Sequence, residues 1–265
     1  MKRLMCVMLC VSLGIILCGT AQVLASPAIN SAVIQTRIWN DNPTSIVTTS
    51  NSYASSITIK DDQSGGGSGW ANLHIVRLST DGTNPASFAN GDAFAFAADV
   101  TITGTGNAEA GLQVSPWWSL QGDGKFMING QTGEIAAFGG RLPFYSFTTN
   151  DSLTYTKGDT VRMGVIYSPN ALSLANPATI EYVLTMGSTT YSSGALAFDE
   201  GNPAEDPPHG LYGMLSPAQV GGYFQPQVWD TKWEQVAFEN MVYTPEPATM
   251  ALLGLGSLFL ARRRK

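Results

Sequence analysis

The stretch FAFAADVTIT, residues 94–103, decides the fold class of this chain. Large apolar side chains stand at every second position, at Phe94, Phe96, Val100 and Ile102, with Ala, Asp and Thr between them. Successive side chains of a β-strand point to opposite faces of its sheet, so a period of two predicts a strand with one buried face.

The same period recurs further along the chain. It is present in TVRMGVIY (160–167), in TIEYVLTM (179–186) and near the end, where Val236, Phe238 and Val242 form the expected buried set. Turn dipeptides lie between the strand-like stretches: Asp81-Gly82, Asn90-Gly91, Asp123-Gly124 and Asn129-Gly130. With no convincing helical period between Ser26 and Thr244, the sequence predicts an all-β antiparallel sandwich or jelly roll.

Charge and cysteine content exclude several classes of function. Residues 26–244 contain 8 basic and 19 acidic residues, a net charge of −11. Such a surface repels nucleic acid and anionic lipid headgroups, so nucleic-acid binding is excluded. All three cysteines, Cys6, Cys10 and Cys18, precede residue 26. A chain that has lost this segment therefore has no disulfide, thiol nucleophile or cysteine metal site.

The amino-terminal segment has the three parts of a secretory signal peptide. Lys2 and Arg3 form a basic start, residues 4–18 are largely apolar, and small or modest residues lead up to Ala25. We therefore expect residues before Ser26 to be a signal peptide, cut between Ala25 and Ser26 during export. An uncleaved membrane anchor is the alternative.

The carboxyl-terminal segment has the features of a short transmembrane helix. Residues 248–261 are mostly apolar and span about 21 Å as a helix, which is short beside a hydrocarbon core of about 30 Å. Pro245 and Pro247 keep the approach to this run extended. The run is followed by Arg262, Arg263, Arg264 and Lys265. Because basic side chains snorkel to headgroups and stay on the cytoplasmic side, we expect a helix whose tail stops transfer. A buried amphipathic helix is the alternative.

The order of these carboxyl-terminal residues resembles a known sorting signal. Pro245-Glu246-Pro247, a Gly- and Leu-rich apolar run and the basic cluster with Arg262, Arg263 and Arg264 are similar to the PEP-CTERM protein-sorting signal, here over residues 245–265. The resemblance implies an exosortase as partner, a membrane-embedded protease that cuts near Pro-Glu-Pro. It also implies a Gram-negative-type bacterium that makes exopolysaccharide, with delivery of the protein to the cell surface or extracellular matrix.

From about Ala89 to Tyr243 the order of features resembles a concanavalin A-like (laminin-G-like) jelly roll. FAFAADVTIT and AGLQVS lead to a hairpin, GKFMINGQTGEIAAF, which is followed by YTKGDTVRMGVIY and a paired ATIEYVLTMG. We expect one β-sandwich domain over residues 26–244. The stretch QSGGGSG, residues 63–69, is either a loop of that domain or a linker between two domains.

No catalytic motif is present in the sequence. His74 lies in the alternating stretch ANLHIVRL, His209 lies in a Pro-rich loop, and no Gly-x-Ser-x-Gly elbow is found. Paired acids on one strand face, as in jelly-roll glucanases, are also missing. Asp230 and Glu234 share a strand face but lie about 13 Å apart along it, which favours a solvated pair. The sequence therefore predicts a protein that is not an enzyme.

Two further groups of residues are candidates for binding. Four carboxylates, of Asp199, Glu200, Glu205 and Asp206, occur in one loop and are suitable calcium ligands, with a solvated acidic loop as the alternative. The adjacent pair Trp117 and Trp118 is a candidate for stacking on sugar rings. In an extended chain one of the two is buried and the other exposed, and the alternative is that both are packed.

These features predict an exported protein that is held in the membrane in transit and then joins the cell surface or the exopolysaccharide matrix of a biofilm. Its β-sandwich is expected to be a structural or glycan-contacting module. The rival function is a glycan hydrolase or lyase on the same fold, which for a hydrolase needs two carboxylates about 5–10 Å apart in a cleft. A purely structural matrix protein without a ligand groove is a third interpretation.

Overall fold

A computed structural model of the chain describes residues 26–38, 43–63, 72–198, 212–214, 216–227 and 232–245. The expected signal peptide and the apolar run 248–261 lie outside the described residues. Within these ranges there is no helix of sufficient length and apolar character to cross a bilayer.

The described residues form strands with two short helical pieces. The strands are β1 Ser31–Gln35, β2 Ile46–Ser52, β3 Ser56–Asp62, β4 His74–Ser79, β5 Phe94–Gly104, β6 Asn107–Ser115, β7 Lys125–Asn129, β8 Ile135–Phe138, β9 Tyr145–Ser146, β10 Thr160–Ser168, β11 Thr179–Met186, β12 Thr189–Ser192, β13 Leu196–Ala197, β14 Gln219–Gln227 and β15 Trp233–Pro245. The helical pieces are a 3₁₀ turn, Trp117–Ser119, and α1, Phe147–Asn150. The prediction of an all-β fold is confirmed.

The strands pair antiparallel in two sheets, which confirms the predicted sandwich. One sheet has the order β1-β4-β14-β6-β7-β8-β9, and the other has the order β12-β11-β10-β5-β15-β3-β2 with β13 beside β11. Although β1 and β3 precede residues 63–69, β1 pairs with β4 and β3 pairs with β15. Strands from both sides of QSGGGSG therefore build the same two sheets.

The core lies between the two sheets and follows the period of two. In β5 the side chains of Phe94, Phe96, Val100 and Ile102 are buried, as the sequence predicts. The ring of Phe94 stacks on that of Tyr167 in β10, with 5.7 Å between their centroids. Each such fully buried side chain stabilises the fold by about 1.5–3 kcal/mol relative to leaving it in water.

Near its end, β15 departs from the predicted alternation. Phe238 is buried as predicted, but Met241 is buried and Val242 is half exposed. The register between β15 and β5 shifts between Glu239 and Val242, where Asn240 has a φ of 48°. The extra residue of this β-bulge reverses which side chains face the core, so the prediction of a buried Val242 is wrong.

The two ends of the sandwich are distinguished by where β5 begins and ends, about 33 Å apart at the usual rise per residue. We call them the Phe94 end and the Gly104 end. At the first, Pro245 of β15 lies opposite Phe94. Ser26 lies there too, because its hydroxyl donates a hydrogen bond to the carbonyl of Ala93 at 2.8 Å. The first and last described residues therefore lie at the same end of the sandwich.

Candidate functional site

Exposed aromatic side chains lie on the loop that follows β6. After Ser115 the chain forms the 3₁₀ turn, in which Trp117 and Trp118 are 37% and 39% exposed. Because the pair lies in a helical turn and not in an extended chain, the expected division into one buried and one exposed ring does not occur. Both rings are accessible from solvent over part of their surface.

Three polar side chains of the seven-stranded sheet hold this loop in place. The Arg77 guanidinium donates to the hydroxyl of Ser115 at 3.1 Å and to the carbonyl of Leu120. The Gln113 amide donates to the carbonyl of Asp123 at 3.0 Å, and the Ser115 hydroxyl donates to the same oxygen. Arg77 is fully buried, which lowers its pKa to about 9. These hydrogen bonds therefore fix the loop with the two tryptophans to the seven-stranded sheet.

A cleft of about 440 Å³ opens beside the tryptophan loop. We call it the aromatic cleft; its walls include Trp118, Asp123, Arg141, Pro143, Phe144 and Phe198. Phe144 is 69% exposed, and Phe138, at the end of β8, is also exposed. Flat rings beside a carboxylate and a guanidinium suit a ligand with both C–H faces and hydroxyl groups, as a sugar has.

A second group of polar side chains crosses the outer face of the same sheet. The ammonium of Lys125 donates to Glu109 at 2.8 Å and to the side-chain oxygen of Gln225 at 2.9 Å, and it lies 4.7 Å from the centre of the Tyr223 ring. We call these four residues the polar row. Burial, and then the nearby charge of Glu109, raise the pKa of Tyr223 well above its ordinary value, so its phenol stays protonated.

Several donors and acceptors of this face have no partner among the described residues. They are Nε and Nη1 of Arg77 and the side-chain oxygen of Gln113. Buried polar groups are almost always hydrogen-bonded, so unsatisfied ones call for an explanation such as a ligand. These buried groups lie beneath the loop that forms the aromatic cleft.

His74 is a structural residue of the core. It begins β4, its side chain is fully buried, and its Nε2 lies 2.9 Å from a carboxylate oxygen of Asp61. Its Nδ1 accepts a hydrogen bond from the backbone N–H of Arg37 at 3.2 Å, which places the ring proton on Nε2. Burial raises the pKa of Asp61, but hydrogen bonds from His74 and Asn72 outweigh burial and lower it below its ordinary value. A ring with no exposed surface has no access to a dissolved substrate.

Glu234 forms an ion pair and is not part of a carboxylate pair in the described residues. It lies on β15, fully buried, 2.9 Å from the ammonium of Lys157. Burial raises its pKa, and Lys157 lowers it in part. Its predicted companion Asp230 lies outside the described residues.

The remaining residues singled out from the sequence lie mostly outside the described ranges. These are His209, the candidate calcium ligands Asp199, Glu200, Glu205 and Asp206, the signal residue Ala25, and Glu246, Pro247, Arg262, Arg263 and Arg264 of the sorting signal. Among the residues that are described, no group of three or more side chains of His, Cys, Asp or Glu is placed to hold a metal ion.

Arg77, Tyr223 and Lys125 were not singled out from the sequence. One signal was available for Arg77, since a charged residue inside the apolar stretch HIVRLS needs a partner wherever it is buried. Tyr223 and Lys125 gave no comparable signal, because their strands meet only through β6.

Comparison with known structures finds distant similarity. A family 7 alginate lyase, A1-II′, in complex with a substrate (GGMG) is 13% identical, with a TM-score of 0.41 over 74% of this chain and 80% of that one. The Lotus tetragonolobus seed lectin is 10% identical, with a TM-score of 0.37 over 81% of this chain and 94% of that one. At these values the similarities carry no conclusion about what this chain binds.

Comparison by sequence identifies the carboxyl end. No curated protein matches the chain. The PEP-CTERM protein-sorting motif matches residues 244–265, which begin at the last residues of β15. The match covers the three-part signal and says nothing about the sandwich before it. The chain thus carries a PEP-CTERM protein-sorting motif at residues 244–265.

Proposed function

We propose that this chain is exported, held in the membrane in transit, sorted by an exosortase and delivered to the cell surface or exopolysaccharide matrix, where its β-sandwich contacts glycan. The motif at residues 244–265 supports the sorting step. A signal peptide before Ser26 supplies export, and the run 248–261 with its basic tail supplies the anchor in transit.

The aromatic cleft is the observation that carries the glycan-contacting role. Trp118 and Phe144 line it, and Trp117 and Phe138 lie exposed nearby. Aromatic rings stack on the C–H faces of sugars, while Asp123 and Arg141 provide polar groups for hydroxyls. An apolar surface of this kind is otherwise costly to leave in water.

Binding of exopolysaccharide tests this role directly. A chain that ends at Pro245 is titrated with a panel of purified bacterial exopolysaccharides, and binding is followed by isothermal titration calorimetry. The variant Trp117→Ala/Trp118→Ala should lose binding, whereas Trp233→Ala, at the Gly104 end, should retain it. Equal binding by both variants contradicts the proposed site.

Glycan cleavage, the rival function, is not favoured by the polar row, because the ring of Tyr223 has no exposed surface. Release of reducing ends from the same panel by the unmodified chain supports cleavage, and no release argues against it.

A further inference from the structure

The exposed large apolar side chains are concentrated at one end of the sandwich. Seven such side chains are exposed among the described residues. Five of them belong to segments at the Phe94 end: Trp117, Trp118, Phe138, Phe144 and Leu174. Ile46 lies at the Gly104 end, opposite Asp62 of β3, and Val242 lies on the outer face of β15.

Pairing contacts place the three segments at this end. The tryptophan loop follows Ser115, which pairs with Gln219 at the start of β14. Ala218, the residue before Gln219, forms an isolated β-bridge with Phe88. The ring of Phe88 packs on Phe94 with 5.1 Å between centroids.

The other two segments are tied to the same end through β10 and β11. Tyr182 of β11 donates its hydroxyl proton to the carbonyl of Pro143 at 3.0 Å, next to Phe144. Leu174, 75% exposed, lies in the connection between β10 and β11, just beyond Tyr167, which pairs with Phe94. Three separate connections with exposed aromatic or aliphatic side chains thus lie at the same end of the sandwich.

The chain leaves the sandwich at this same end. β15 ends at Pro245, opposite Phe94, and only Glu246 and Pro247 separate it from the apolar run 248–261. Three residue steps reach at most about 10 Å, so a membrane-embedded run holds the Phe94 end next to the bilayer surface. The Gly104 end then points away from the membrane.

We propose that the five exposed side chains of the Phe94 end lie in the lipid interface while the precursor is anchored, so that the aromatic cleft is covered until sorting. This inference rests on the proposed function. Trp, Phe and Leu are the side chains that insert at the boundary between headgroups and acyl chains. The exosortase breaks one peptide bond near Pro245-Glu246-Pro247 and passes the acyl group to water or to an acceptor nucleophile. The released body, with a net charge of −11 over residues 26–244, is repelled by anionic headgroups and leaves the surface.

Quenching by brominated lipid measures this contact. The full chain, purified from a host without exosortase, is reconstituted in vesicles of phosphatidylethanolamine and phosphatidylglycerol with brominated acyl chains. Its tryptophan fluorescence should be quenched, and the variant Trp117→Phe/Trp118→Phe should lose most of that quenching. The matched variant Trp233→Phe, at the Gly104 end, should keep it. After proteolytic release of the body, quenching by dissolved acrylamide should rise in the unmodified chain and should rise less in the double variant.

Each outcome separates the inference from the function on which it rests. If the vesicle-bound chain shows the same lipid quenching with and without Trp117 and Trp118, the proposed lipid contact is wrong and the sorting proposal is unaffected. Acrylamide quenching that does not change on release overturns the covering of the cleft. A full chain that does not float with the vesicles overturns the membrane-held precursor and the inference with it.

Discussion

Replacing Lys157 by methionine isolates the contribution of the one ion pair that Glu234 makes in the described structure. The side chain of Glu234 is fully buried, and one of its oxygens has no partner among the described residues. Removing one member of a buried pair costs about 3–5 kcal/mol. Because 22% of the Lys157 side chain is exposed to screening by solvent, we expect a smaller loss of about 2–3 kcal/mol in the free energy of unfolding near neutral pH.

The loss should depend on pH with a definite sign. Burial already raises the pKa of Glu234, and removal of Lys157 raises it further. The raised pKa means that the folded state binds a proton at a pH at which the unfolded chain, with a glutamate pKa of about 4.3, has released it. The stability that the Glu234 carboxyl contributes is then fully present below its pKa in the unfolded chain. It is lost as the pH rises through the pKa of Glu234 in the folded protein. The deficit of the variant is therefore largest near neutral pH and shrinks as the pH falls towards about 4.

Urea unfolding followed by tryptophan fluorescence, near neutral pH and near pH 4, measures both effects. Lys60→Met is the matched control, because Lys60 pairs with Asp62 at 2.7 Å on the surface, where a pair contributes about 0–1 kcal/mol. A Lys157→Met variant as stable as the Lys60→Met variant near neutral pH shows that the buried ion pair does not stabilise the fold. A deficit that stays constant down to pH 4 contradicts the expected pH dependence.

Three other changes have defined outcomes. Trp117→Ala/Trp118→Ala should abolish exopolysaccharide binding in isothermal titration calorimetry, while the free energy of unfolding changes by less than about 1 kcal/mol, since both rings are partly exposed. Gly124→Ala should destabilise the fold by more than about 2 kcal/mol in urea unfolding, because Gly124 has a φ of 77° and a Cβ there would lie 1.8 Å from the carbonyl oxygen of Val114. Gly91→Ala is the control, because a Cβ at Gly91 would have no atom within 4 Å. Its free energy of unfolding should stay within about 0.5 kcal/mol of that of the unmodified chain. Deleting residues 246–265 should leave the thermal midpoint within about 2 °C in calorimetry, because β15 ends at Pro245; a larger drop shows that the tail belongs to the core.

The alternation of apolar and polar residues made the fold predictable from the sequence. The features that the sequence did not predict depend on pairing between strands that are far apart in the chain. The period of two around Val100 is a local property of the chain, and it identified strand, buried face and fold class together. The prediction that Val242 is buried failed because a single extra residue at Asn240 reverses the alternation, and the composition gives no signal of it. The grouping of Tyr223 with Lys125 joins strands that are far apart in sequence, and one sequence does not specify that register.

The exposed rings of the candidate site lie on loops of the sandwich. Strands β3, β5 and β11 alternate between buried and half-buried side chains. The exposed rings of Trp117, Trp118 and Phe144 lie instead on connections, which a rigid pair of sheets holds in position. Arg77 adds to this rigidity, because its buried guanidinium links the tryptophan loop to the sheet. Loss of Arg77 therefore affects the position of the rings without removing any ring.

Intact-mass measurement of the protein from cells with and without the exosortase tests whether residues 244–265 direct sorting. With the enzyme, we expect a secreted or surface form that begins at Ser26 and ends near Pro245-Glu246-Pro247. Without it, we expect a membrane-bound form that begins at Ser26 and still carries Arg262, Arg263, Arg264 and Lys265. The same mass and the same location in both strains contradict sorting through residues 244–265.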